Sequence, residues 1–109
     1  MYTKSEKYVG DWIKDEKHGH GKLYTNNDQL IYEGEFKENS LNGQGIYYFK
    51  NGDKYEGFWK KDKRSGNGTI YFANGKYIAY TGNWSKDKYH GHGKLFYSDG
   101  RIFEGISNI

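Results

Sequence analysis

The feature that most constrains this chain is where its glycines stand. Tyr8, Gly10, Trp12, Gly19 and Gly21 are followed by Tyr32, Gly34, Phe36, Gly43 and Gly45. Then come Tyr55, Gly57, Trp59, Gly66 and Gly68, and after them Tyr80, Gly82, Trp84, Gly91 and Gly93. Counted from each leading Tyr the offsets are +2, +4, +11 and +13 every time. Successive units open 24, 23 and 25 residues apart, and a fifth opens 23 residues later at Phe103-Glu104-Gly105. Three more glycines fall at offset +20, in Asn51-Gly52, Asn74-Gly75 and Asp99-Gly100, where the first unit has Asp28. All 16 glycines of the 109-residue chain occupy one of these slots. A short fixed period means one supersecondary unit stacked on itself, each copy unable to bury its apolar face alone.

The unit reads as strand. In Tyr-x-Gly-x-Trp the two rings share one face of an extended segment, because side chains at i, i+2 and i+4 point the same way. Between them stand Asp11, Glu33, Glu35, Glu56, Thr81 and Asn83, which should face water. A second strand follows the Gly-x-Gly pair and ends in an apolar group: Leu23-Tyr24, Ile46-Tyr47-Tyr48-Phe49, Ile70-Tyr71-Phe72 and Leu95-Phe96-Tyr97. Offsets +15 and +17 share a face, and the aromatic at +16 takes the other. Asn-Gly or Asp-Gly at the unit boundary supplies the positive φ of a two-residue hairpin turn. No helical period is present, and each Gly in a helix would cost about 1 kcal/mol against Ala. The expected fold is all-β: tandem antiparallel β-hairpins in one elongated, twisted single-layer sheet with a groove. Four full units give eight strands, roughly 38 Å at about 4.8 Å per strand.

Composition narrows the function. Mean hydropathy of −1.12 with 28% charged residues would suit disorder, yet 19% aromatics does not. One Val, eight Ile and four Leu cannot build an aliphatic core, so stacked rings should dominate and isolated Ile or Leu should matter less. Without cysteine there is no disulfide framework, thiolate metal site or cysteine nucleophile. No apolar run approaches the roughly 18 residues of a membrane span, and Met1 to Lys7 lack a signal-peptide core. The expected location is cytoplasmic.

The motif Tyr-Glu-Gly-x-Phe/Trp, then Gly-x-Gly seven residues on, then Asn/Asp-Gly, resembles the MORN repeat (membrane occupation and recognition nexus). Tyr32-Glu33-Gly34-Glu35-Phe36-Lys37 and Tyr55-Glu56-Gly57-Phe58-Trp59-Lys60 carry it most clearly, with His18-Gly19-His20-Gly21 and His90-Gly91-His92-Gly93 matching the family's His-Gly-x-Gly. The resemblance divides the chain into the tail of a preceding hairpin strand (1–7), repeats over 8–31, 32–54, 55–79 and 80–102, and a partial fifth repeat (103–109). Where the family usually has Gly, seven residues after the Tyr, this chain has Asp15, Asn39, Asp62 and Asp87. These residue types tolerate the left-handed region, so the turn should survive. The resemblance implies scaffolding, cytoskeletal or membrane-associated assembly, partner-protein binding and phospholipid binding, in some members as an appendage of an enzyme.

Four candidate sites follow. Catalysis has no carrier: there is no nucleophile elbow, zincin helix motif, P-loop or dinucleotide fingerprint, so the chain reads as non-enzymatic and without cofactor. His18, His20, His90 and His92 sit in slots that elsewhere hold Asn42, Gln44, Ser65 and Asn67, and the two pairs lie roughly 29 Å apart on strand spacing. They read as polar hairpin residues, and no metal is expected. Lys60, Lys61, Lys63, Arg64, Lys86 and Lys88 fall on loops that stacking aligns into a basic rim for acidic lipid head groups or an acidic protein face, diluted by Asp62 and Asp87. Fifteen Lys against two Arg argues against base-reading contacts with nucleic acid. Lastly, the stripe Tyr8, Trp12, Tyr32, Phe36, Tyr55, Trp59, Tyr80 and Trp84 is structural and lines a groove, while Tyr24, Tyr48, Tyr71 and Phe96 on the other face are candidate partner contacts.

The leading reading is a scaffold or adaptor that holds a helical or extended protein segment along the aromatic groove. The alternatives are a peripheral membrane module working through the basic rim and a regulatory segment of a larger enzyme. Tyr2 occupies the slot that Phe49, Phe72 and Tyr97 fill before later units, so residues 1–7 read as the tail of a preceding hairpin strand, and the expectation is either a chain cut from a longer array or open sheet edges that pair with another copy.

Overall fold

The computed structural model describes residues 6–73 and 77–107, with side chains as far as 105. The expectations for Tyr2 and for the Asn74-Gly75 turn lie outside the described residues. Among the described residues nine antiparallel strands follow one another in chain order in one open sheet. They are β1 (Lys7–Ile13), β2 (Glu16–Tyr24), β3 (Leu30–Lys37), β4 (Ser40–Tyr48), β5 (Lys54–Lys60), β6 (Lys63–Tyr71), β7 (Tyr77–Ser85), β8 (Lys88–Tyr97) and β9 (Ile102–Ser107). The chain measures 46 × 27 × 18 Å, the elongated form that hairpin stacking requires. Each of the four units is one hairpin, and β9 pairs with β8 after the fourth.

The tight turns sit elsewhere than the sequence suggested. Two-residue connections close the hairpins inside each unit, between the pairs Ile13↔Glu16, Lys37↔Ser40, Lys60↔Lys63 and Ser85↔Lys88. Both loop residues have positive φ, for example Lys61 at 48° and Asp62 at 69°, the geometry whose twist matches the flanking strands. The Asn-Gly and Asp-Gly segments form three-residue loops instead. Phe49 N donates to Asp53 O at 2.9 Å and Gly52 N to Phe49 O at 3.0 Å, with Gly52 at φ 96° closing the loop. Thr25–Gln29 and Tyr97–Arg101 repeat this pattern, Asp28 standing in for the glycine at φ 67°.

Asx residues at offset +7 do more than tolerate the left-handed region. Asp62 N donates to Leu41 O at 3.1 Å while the Asp62 carboxylate accepts from Leu41 N at 2.8 Å. Asn39 clasps Lys17 in the same way, and Asp87 clasps Arg64. Each hairpin tip is thereby tied to the strand of the unit before it, which a glycine in that slot could do through its backbone alone.

The second strand of each hairpin starts before the Gly-x-Gly pair rather than after it. Between the pairs Gly57↔Gly68 and Trp59↔Arg64, Ser65, Gly66 and Asn67 stand against Phe58 alone. This bulge bends the hairpin, and Gly66 takes a φ of 65° in it. The leading Tyr lays the hydroxyl end of its ring against the paired glycine: a Cβ at Gly45, Gly68 or Gly93 would collide with the phenol of Tyr32, Tyr55 or Tyr80. The Tyr32 and Tyr55 hydroxyls then donate to Glu35 O at 2.9 Å and Phe58 O at 3.0 Å.

Rings continue from unit to unit. Trp59 meets Tyr55 edge-on at 5.1 Å and Tyr32 at 5.9 Å, and Trp84 meets Tyr80 at 5.4 Å and Tyr55 at 5.3 Å. Their indole N–H groups donate to Gly45 O and Gly68 O at 3.4 and 3.0 Å. Aliphatic residues matter more than the sequence suggested. Leu23 and Leu41 are as fully buried as Tyr32 and Tyr55, and Ile70 joins the same cluster. Leu41 stands at offset +9, where the other units have Lys17, Arg64 and Tyr89, so no glycine or aromatic period marks it.

Candidate binding face

In the middle of the array the stripe is core. Tyr32, Phe36, Tyr55, Trp59, Tyr80 and Trp84 are all buried, because the bend folds each unit's rings against its neighbour's. At the β1 edge Tyr8 is half-buried and Trp12 is exposed. Burial holds the tyrosine hydroxyls protonated: the pKa of Tyr55 is pushed up to about 12, and those of Tyr8, Tyr32, Tyr47, Tyr80 and Tyr89 are raised, with desolvation the leading cause in each.

The open concave surface lies on the opposite face. Three depressions of about 390, 550 and 780 Å³ adjoin one another across the strands. The first two share His20, Glu33 and Gly34, and the second and third share Phe58. Their floor is the alternation set pointing away from the rings: Val9, Glu33, Ile46, Glu56, Phe58 and Thr69. Phe58 is 43% exposed, although it is among the largest apolar side chains here. Phe58 has no place among the sequence-based candidates; the signal for it is a lone ring in a slot that holds Asp11, Glu35 and Asn83 in the other units.

Of the four aromatics expected to contact a partner, Tyr24 lines this trough. Tyr71 is 41% exposed with Lys54 Nζ 4.9 Å from its ring centre, and Tyr48 and Phe96 are half-buried. His20 also lines the trough. Among the described residues no three His, Asp or Glu side chains gather into a metal-binding group.

The basic rim divides in two. Lys60, Lys61, Lys63 and Lys86, with Ser65 and Ser85, line a depression of about 460 Å³, and Lys88 is exposed. Arg64 does not belong with them. It sits in β6 on the ring face, its guanidinium centre 4.6 Å from the Trp84 ring, its Nε donating to Asp87 Oδ1 at 3.1 Å and its Nη2 to Asp87 O at 3.0 Å. Alternation, not loop proximity, decides this, since offset +9 points to the core. The carboxylates of Asp62 and Asp87, expected to dilute the rim, are bonded to Leu41 N and Arg64. No ion pair among the described residues takes one of the five rim lysines.

Comparison with family models gives one family, the MORN repeat, which matches four times, at residues 8–29, 32–54, 55–77 and 80–100.

Proposed function

Because the chain belongs to the MORN-repeat family, we propose that it is a non-enzymatic scaffold holding a protein segment in the trough opposite its aromatic core. One observation carries this reading: the concave surface runs over all the central units and exposes Phe58 in its floor. A large ring left half in water within a depression is a ready anchor site for apolar side chains. The flanking Glu33 and Glu56 and the lysines of the hairpin tips add charge contacts that fix the register of the bound segment. The bound segment is extended or helical, and the setting is cytoplasmic, with the protein attached to a larger assembly.

The test uses a partner recovered from the native cell by proximity labelling. Phe58→Ala and Tyr71→Ala should each weaken its binding about tenfold or more while leaving the melting temperature nearly unchanged. Unchanged affinity in both variants would sink the reading.

A second reading has its own observation. Four lysines around one depression, with the neighbouring carboxylates engaged elsewhere, suit an anionic membrane surface, at about 1 kcal/mol per basic residue. Co-sedimentation with vesicles of phosphatidylcholine, with and without phosphatidylserine, separates the two. Binding that needs the anionic lipid and disappears with salt supports the membrane; none removes it.

A further inference from the structure

The trough runs at right angles to the strands. Cross-strand pairs place Lys22, Glu33, Ile46, Glu56, Thr69 and Thr81 in one continuous row. Across the backbone floor at Gly34, Gly45, Gly57 and Gly68, Gln44 pairs with Phe58 and Asn67 with Asn83. A segment lying between these rows crosses every strand, so it meets side chains rather than an unpaired edge and does not bind as an added strand. What it meets recurs every second strand, a step of about 9.6 Å. Three residues of polyproline II advance about 9.3 Å and return to the same face. Seven residues of α-helix advance about 10.5 Å, and two of a β-strand about 6.7 Å, so both fall out of step with the array. Polyproline II also leaves its carbonyls free, and the amides of Gln44 and Asn67 are placed to donate to them.

The central depression is acidic, in a chain whose net charge is +3. Glu33 and Glu56 stand at one offset, two strands apart, and among the described residues no lysine or arginine lines the depression with them. No ion pair among the described residues takes Glu56. Glu33 pairs with Lys22 at 3.8 Å, both side chains half in water, a contact worth little there. Phe58, 43% exposed, follows Glu56 on the same face with one glycine between them. A carboxylate beside an open ring suits a cation, through ion pairing and through attraction to the ring face.

We propose that the trough takes a polyproline II segment bearing a basic residue at every third position. Two successive cations fall on Glu33 and Glu56, and the second also covers Phe58. From Val9 in β1 to Thr81 in β7 the trough spans about 29 Å, the length of about nine such residues. This rests on the trough being the partner site and adds the conformation and charge of what it holds.

Fluorescence anisotropy of labelled peptides with the 109-residue protein at low salt tests it. The probe is Pro-Pro-Arg repeated four times. Its control has the same composition with the arginines set alternately two and four residues apart. The regular peptide should bind roughly tenfold more tightly than the control. Glu33→Gln and Glu56→Gln, both at exposed positions, should each weaken the regular peptide about fivefold and narrow the gap between the two peptides, with the circular dichroism of the sheet unchanged. Equal binding of the two peptides, or a Glu56→Gln variant that binds as the wild type does, overturns the inference. A captured partner whose trough-bound segment is helical or acidic overturns it too, but leaves the scaffold reading standing. That reading falls only when Phe58→Ala and Tyr71→Ala leave the partner's affinity unchanged.

Discussion

At the scale of single residues, the tip Asx positions separate conformational strain from hydrogen bonding. Asp62 adopts a φ of 69° and accepts Leu41 N at 2.8 Å. Glycine relieves the strain, worth about 1 kcal/mol, but cannot accept the bond; alanine keeps the strain and also loses the bond. Asp62→Ala should therefore cost about 2–3 kcal/mol and Asp62→Gly roughly half as much, read by urea denaturation. Asp15 takes the same conformation, φ 65°, on the hairpin of the edge strand β1. There Asp15→Gly should be neutral or stabilising by up to about 1 kcal/mol. Equal losses at positions 15 and 62 would show that the turn alone, and not the tie between units, governs stability.

At the scale of the hairpin, the core is a junction between units rather than a stripe along them. Leu41 is completely buried beneath the rings of its own and the next unit, so Leu41→Ala should cost about 3 kcal/mol, comparable to Trp59→Ala. A loss below about 1 kcal/mol in equilibrium unfolding would contradict that packing. Leu41 also shows where the sequence stops being legible. Hairpin number, strand direction and the shared face of Tyr and Trp follow from period and alternation alone, and the structure has them. The bulge at Ser65-Gly66-Asn67 does not follow, because three residues against one is a property of pairing, not of one strand. Offset +9 lies an even number of residues from Ile70, so alternation carries it onto the ring face through the bulge, and Arg64 stacks on Trp84 instead of joining the lysines. The bend at the bulge folds the stripe inward, while Phe58, one residue from Trp59, alternates onto the open side. For the binding face, then, the sequence supplied the two sets of side chains, and the bend decided which set is covered.

At the scale of the whole molecule, the buried tyrosines make the array sensitive to alkali. Their folded-state pKa values are raised, that of Tyr55 to about 12, by desolvation first. Above the unfolded value near 10 the unfolded chain releases protons that the folded chain retains, so stability is intact below about pH 10 and falls as pH rises toward 12. Each tenfold difference in proton affinity between the two states is worth about 1.4 kcal/mol. Several such groups together should unfold the sheet cooperatively in that window, seen as tyrosinate absorbance rising together with loss of β-sheet circular dichroism. The central claim concerns the two faces: rings from neighbouring units close one, and the other is left to a partner. Hydroxyl-radical footprinting with and without the captured partner tests it most directly. Phe58 should be reactive in the free protein and protected in the complex, while Trp59 and Trp84 should be unreactive in both. Protection of Trp12 and Tyr8 with Phe58 unchanged would contradict it, placing the partner on the ring face instead.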